Sequence, residues 1–132
     1  MEHPNESLIR SMYAAFGSGD MPGVVAACTD DVVFRIPGAS RVAGEYRGKQ
    51  EFFERFLPAL AGVADMSTFR ESIDGLACGD DHGIVLTTQS FRRHDNREAD
   101  YRSAVMFAFR DGLLAEFVER PGNQSEYDDA WA

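Results

Sequence analysis

Apolar residues recur along this chain with two different periods. Leu8, Ile9, Met12, Tyr13 and Phe16 fall at helical spacing and would form one stripe. Pro4 or Asn5 can open that helix, and Gly17-Ser18-Gly19 stops it. Asp20 then caps a second helix, with Pro22 in its first turn and Val24, Val25 and Cys28 on its apolar side. Val32 to Ile36 reads as a first strand ended by Pro37-Gly38, followed by a loop from Ala39 to Tyr46. Gly48 starts a third helix with Phe52, Phe53, Phe56 and Leu57 on its buried side, and Pro58 ends or kinks it.

From about Met66 the period changes to two. Strands are expected around Thr68–Cys78 and Gly83–Arg93, separated by the turn Gly79-Asp80-Asp81. A polar turn at His94–Arg97 leads into two further runs that flank Asp111-Gly112, a strong hairpin signal because a type I′ turn needs positive φ at both central residues. Alternation places Tyr101, Ser103, Val105, Phe107 and Phe109 on one face, and Arg102, Ala104, Met106, Ala108 and Arg110 on the other. With the first face inward, Val85, Thr87, Gln89 and Phe91 face in from the preceding strand, and Phe117 and Glu119, with Leu113 and Ala115, from the last. Asn123 to Ala132 forms a short helix anchored by Tyr127 and Trp131.

The order is therefore α-α-β-α-β-β-β-β, an α+β fold with a strongly curved antiparallel sheet wrapped around N-terminal helices, in a single domain over residues 1–132. No Gly-rich loop follows a strand and opens a helix, which argues against a parallel nucleotide-binding fold. A net charge of −9 opposes binding to nucleic acid or to an anionic membrane surface. No apolar run approaches the ~20 residues of a membrane span, and the polar, acidic start suggests a cytoplasmic location. Cys28 and Cys78 read as small hydrophobes, and His3, His82 and His94 have no ligand spacing, so neither a disulfide nor a metal site is expected.

Four segments carry a resemblance: Tyr13-Ala14-Ala15-Phe16-Gly17-Ser18-Gly19-Asp20, Asp30-Asp31-Val32-Val33-Phe34, Gly44-Glu45-Tyr46-Arg47-Gly48-Lys49 and Phe109-Arg110-Asp111-Gly112. Together they resemble the nuclear transport factor 2-like superfamily, in its SnoaL-like branch, over almost the whole chain. The resemblance implies a cone with an apolar pocket and, often, dimers formed through the outer sheet face. That superfamily includes ketosteroid isomerases, polyketide cyclases, epoxide hydrolases, scytalone-type dehydratases and non-catalytic binding domains, so only pocket residues can choose among them. Tyr13 matches the place of the isomerases' oxyanion-hole tyrosine. Their proton-shuttling carboxylate would fall at Ile36 and their second acid near Val105, and neither position holds a carboxylate. Ketosteroid isomerisation is therefore excluded for want of a base. The hydrolases' Asp-Arg-Asp set and the cyclases' aspartate find no counterpart.

What remains is a candidate site in which Glu119 is the acid/base, Tyr13 donates to a developing oxyanion and Gln89 orients the substrate. Phe34, Tyr46, Phe56, Tyr101, Ser103, Val105, Phe107 and Phe117 are expected to line the substrate pocket, with Phe16, Phe53 and Trp131 as further walls. The competing readings are structural: Glu119 paired with Arg120, Arg102 or Arg35, and Tyr13 a core aromatic. The expected ligand is a small apolar or aromatic molecule, and the expected chemistry a cofactor-independent isomerisation, cyclisation, dehydration or hydrolysis. The alternative is a non-catalytic ligand-binding or dimeric structural domain, its contact face formed by Leu86, Thr88, Ser90, Ala104, Met106 and Ala108.

Overall fold

Helix α1 (Pro4–Gly17) begins where the His3 ring accepts a hydrogen bond from the Asn5 N–H at 3.0 Å, and α2 (Met21–Ala26) where the Asp20 carboxylate accepts from Gly23 at 3.0 Å. Both caps satisfy amides that no helical carbonyl can reach. The structure is a computed structural model and describes residues 2–132. Strand β1 (Cys28–Ile36) follows, then β2 (Gly44–Arg47), which pairs with it antiparallel from Val33↔Arg47 to Ile36↔Gly44. The pattern of apolar positions predicted a loop over β2. Only Tyr46 of its four residues is buried, so the strand has no alternation to reveal it.

Next comes one continuous helical stretch: α3 (Gly48–Glu51), a π-helical turn (Phe52–Phe56) and α4 (Leu57–Val63). Pro58 does not end it. The Leu57 N–H reaches back to the Phe52 carbonyl, a wider turn, and Pro58 falls at the start of α4 where its missing N–H is not needed. The extra residue in that turn also breaks the expected face: Phe52 and Phe56 point inward, whereas Phe53 is 40% exposed.

Four long strands complete the sheet: β3 (Ala64–Cys78), β4 (His82–Arg93), β5 (Glu98–Arg110) and β6 (Leu113–Pro121), in the spatial order β2-β1-β6-β5-β4-β3. All pairs are antiparallel except β1 with β6. Asp111 (φ 55°) and Gly112 (φ 76°) form the expected tight turn of the β5–β6 hairpin. Tyr101, Ser103, Val105, Phe107 and Phe109 are all buried. A bulge then shifts β6 by one residue between the pairs Ala108↔Glu116 and Phe109↔Leu114. Leu114, rather than the expected Leu113 and Ala115, therefore lies buried opposite Phe109. Past the bulge, Phe117 pairs with Phe107 and Glu119 with Val105, on the inner face.

Two further irregularities bend β3. Near the first, the Asp65 carboxylate accepts from the Ser67 N–H and hydroxyl, and the Thr68 hydroxyl accepts the Arg92 N–H at 2.8 Å. Such bends curl a sheet around what it covers, here α1. Helix α5 (Gln124–Ala130), capped by Asn123, closes the other end with Tyr127 and Trp131 buried. Arg93, 6% exposed, fastens it: its guanidinium donates to the carbonyls of Ala130 at 2.7 Å and Ala132 at 2.8 Å and pairs with Asp95 at 3.1 Å. Among the described residues no helix is long and apolar enough to cross a membrane.

Cations near the last carbonyls of a helix complement both its dipole and its unpaired acceptors. Arg93→Gln is expected to destabilise the protein by about 2–4 kcal/mol and to shift the emission of Trp131, the single tryptophan, to the red. Urea denaturation followed by fluorescence measures both.

Candidate functional site

The inner sheet face, α1, the π-helical turn and α5 enclose a cavity of about 80 Å³. Its walls are mainly aromatic, with Phe34 at the centre of a cluster whose rings lie 5.1 Å from Phe52, 5.3 Å from Phe117 and 5.8 Å from Phe56. Polar groups enter it from six elements: Tyr13 on α1, Glu71 on β3, Gln89 on β4, Tyr101 on β5, Glu119 on β6 and Tyr127 on α5. No Arg, Lys or His lines it. A wider cleft of about 650 Å³ between α1 and β3 shares Tyr13, Phe16, Phe69 and Glu71 with the cavity, and Arg10 and Arg70 stand at its rim.

Of the residues predicted from sequence, Tyr13, Phe34, Phe56, Gln89, Tyr101, Phe117 and Glu119 line the cavity, as do Phe16 and Trp131. Tyr46, Ser103, Val105 and Phe107 do not; they lie behind its wall. Tyr46 packs at a tilt against Phe56 at 4.9 Å with its hydroxyl spent on the Val42 carbonyl at 2.8 Å, and Phe107 packs edge-on to Tyr13 at 6.5 Å. Val105 is fully buried beneath them, and Ser103 donates to Glu119 at 2.9 Å. Ile36, the position at which the resemblance would put the isomerases' base, does line the cavity.

Glu119, 3% exposed, makes no ion pair among the described residues. Arg35, one expected partner, binds Glu116 and Glu45, while Arg102 and Arg120 lie on the exposed outer face. Gln89 is not free to orient a substrate as expected, because its amide carbonyl accepts from Tyr101 and its amide nitrogen donates to Glu71. Glu71 itself went unrecognised in the sequence. The signal was its parity, one acid between Phe69 and Ile73 on the half-buried face of a strand. Among the described residues no three His, Cys, Asp or Glu side chains converge as metal ligands would.

The SnoaL-like domain family model matches residues 9–117. The chain belongs to that family. Glu119, Tyr127 and Trp131 lie just beyond the matched span. Among solved structures, Bal32a from a soil-derived mobile gene cassette is 25% identical, with 98% of this chain and 97% of that one covered and a TM-score of 0.87. An NTF2-like protein of unknown function from Burkholderia pseudomallei is 22% identical, with 99% of each chain covered and a TM-score of 0.88. TerC, co-crystallized with polyporic acid, is 20% identical, covers 97% of this chain and 98% of its own, and has a TM-score of 0.86. The fold is thus that of the NTF2-like superfamily to which SnoaL-like domains belong.

Within the SnoaL-like frame the electrostatics of this cavity follow from its lack of cations. Burial pushes the Glu119 carboxyl up to about 8; the Ser103 hydrogen bond works against that rise and the Glu71 charge adds to it. Burial likewise pushes Glu71 up to about 7, opposed by the hydrogen bond from Gln89 and by the nearby Thr87 hydroxyl. That hydroxyl is fully buried and has no hydrogen bond of good geometry. Tyr13 is held protonated far above the ordinary tyrosine range, first by burial and then by Glu71 and Glu119. The site therefore holds two carboxyls that change charge near neutral pH beside a phenol that does not.

The sign of the resulting pH dependence is definite. Below the ordinary glutamate value of 4.5, Glu119 is protonated whether the chain is folded or not; between 4.5 and about 8 the unfolded chain releases that proton while the folded one keeps it. Stability therefore falls across that interval, by an amount on the order of a few kcal/mol. Glu119→Gln is expected to raise the thermal midpoint at pH 8.5 relative to the parent and to leave it nearly unchanged at pH 4. An ion-paired glutamate would give the opposite result at pH 8.5.

Proposed function

We propose that this SnoaL-like protein is a cofactor-independent acid/base enzyme that moves a proton on a small apolar or aromatic molecule. One observation carries the reading: two carboxyls, Glu71 and Glu119, share a mainly aromatic cavity without a counter-cation, where burial pushes them up to about 7 and about 8. Between those values Glu71 is the base and Glu119 the acid, a pairing that neither would offer in water. As interacting groups they titrate as a pair, with two apparent midpoints near neutrality.

In the proposed reaction Glu71 accepts a proton from a carbon next to a carbonyl. The bonding electrons move towards the carbonyl oxygen, which the Tyr13 hydroxyl meets as a hydrogen-bond donor. Among the described residues no protein group accepts from that hydroxyl, which leaves it available. Glu119 then delivers its proton at a second position, or to a departing hydroxyl, giving isomerisation, cyclisation or dehydration from one set of groups. The cavity of about 80 Å³ suits the reacting end of the molecule, and the adjoining cleft of about 650 Å³ suits the remainder. TerC, which shares the fold, was co-crystallized with polyporic acid, which supports a small organic molecule as the kind of ligand.

A second proposal concerns assembly. Ile84, Leu86 and Met106 are 40–50% exposed on the outer sheet face, and Ile84, Met106 and Val118 run side by side across β4, β5 and β6. Such an apolar stripe supports a homodimer joined through this face.

Each proposal has an expected outcome. With a substrate identified by screening small carbonyl compounds, Glu71→Gln and Glu119→Gln are each expected to lower kcat by about 10²–10⁴-fold, and the parent to show a bell-shaped pH profile. Ligand binding with no turnover by the parent would leave the binding-module alternative standing. Met106→Glu is expected to convert a dimer at micromolar concentration into a monomer in sedimentation velocity; a monomeric parent rejects the dimer.

A further inference from the structure

An indole N–H can donate a hydrogen bond but the ring accepts none, so Trp131 imposes a direction on whatever it touches. Its Nε1–H points at the Tyr101 hydroxyl oxygen at 2.7 Å. With that oxygen used as an acceptor, the one Tyr101 hydroxyl proton goes onward to Oε1 of Gln89. The Gln89 amide is thereby oriented, and its NH₂ end donates to Oε2 of Glu71. Four residues, Trp131 just past α5 and one each from β5, β4 and β3, thus form one hydrogen-bonded chain whose sense is set by the indole donor at its head.

We propose that Trp131 and Tyr101 are positioning residues that lock the Gln89 amide with its donor end towards Glu71, and that this lock makes Glu71 the base of the pair and leaves Glu119 as the acid. The inference rests on the proton-transfer reading given above. Its physical content is a choice between two amide orientations. In the observed one, Gln89 donates and favours the ionised Glu71. In the reverse one, the Gln89 carbonyl would face Glu71 and accept from its protonated form, while the amide NH₂ donated to Tyr101. The Trp131 donor opposes that reversal: a phenol proton stays near the ring plane, so with the indole donor on one side the Tyr101 proton is directed to Gln89, and a Gln89 donor there would leave that proton without an acceptor.

The other groups facing Glu71 do not distinguish the two carboxyls in this way. Tyr13 on α1 is neutral and lies near both, Glu119 on β6 is the partner carboxyl, and Thr87 on β4 can rotate its hydroxyl to either protonation state. Arg10 and Arg70 border only the outer cleft, in open solvent. The packing of Trp131 is independent of its polarity: its ring lies 4.4 Å from that of Phe91, a contact that phenylalanine can keep.

The test is a side-chain carboxyl NMR titration of the full chain, which needs no substrate. Trp131→Phe is expected to raise the Glu71 midpoint by about half a unit or more, roughly threefold in proton affinity, and Tyr101→Phe by at least as much. A Glu71 midpoint that stays put or falls in either folded variant overturns the lock. The parent supplies an independent measurement should the variants not fold. The indole N–H resonance of Trp131, the only tryptophan, is expected to move with pH through the Glu71 midpoint, and an indole signal flat across that titration overturns the lock as well. The two readings fail separately. Unshifted titration with loss of turnover in Glu71→Gln removes the lock and keeps the proton-transfer site, whereas shifted titration with full turnover in that variant removes the site and keeps the lock.

Discussion

Charge without a counter-charge, held in hydrocarbon, is the constraint on which the arrangement of this protein depends. An ionised carboxyl in such a place is costly unless it is paired or protonated. Here the cations are elsewhere: Arg35 binds Glu116 and Glu45, Lys49 binds Asp30, and Arg110 binds Asp31, each at or near the surface. Arg93, the buried one, is committed to α5 and Asp95. Glu71 and Glu119 are left with only neutral donors, Gln89 and Ser103. Protonation is the remaining way to keep them inside, and it ties the stability of the fold to the chemistry of its cavity.

Two local irregularities bring those carboxyls to the same space. Leu114 and Glu119 are five residues apart and would face opposite sides of a regular strand; the bulge beside Phe109 turns both inward. Without the wider turn at Phe52–Phe56, the helix would meet Pro58 with an unfilled hydrogen bond and present a different aromatic edge to Phe34. Each irregularity adds one residue to a regular element, and each aims a side chain at the cavity rather than along its surface.

Much of this was legible in the sequence where a period was long and clean. The β5 alternation, the Asp111-Gly112 turn and the stripe on α1 each span enough residues for burial to impress a pattern. The inward parity of Glu119 followed from the strand beyond the bulge, although that of Leu113 and Ala115 did not, because a bulge has no period of its own. β2 is too short and too exposed to leave a signature. Tyr46 and Phe107 were expected in the cavity because alternation distinguishes inside from outside and cannot distinguish a cavity wall from the layer behind it. Glu71 was missed for a related reason: β3 is an edge strand bent twice, and its inner face is only partly covered, so its apolar positions are diluted by polar ones.

That edge position explains why two glutamates in one cavity differ. Glu119 stands on a strand flanked on both sides, lines only the inner cavity and is screened from solvent by α5 and the aromatic cluster. Glu71 stands on the outermost strand and borders the outer cleft as well as the cavity, so it gives up less hydration when it folds. Weaker desolvation therefore acts in the same sense as the Gln89 donor, lowering the proton affinity of Glu71 relative to Glu119. The side of the cavity that an incoming molecule meets first carries the group that more readily gives up its proton to solvent. In the proposed reaction the base is renewed from the cleft while the acid keeps its proton in the interior, an order imposed by topology before any substrate binds.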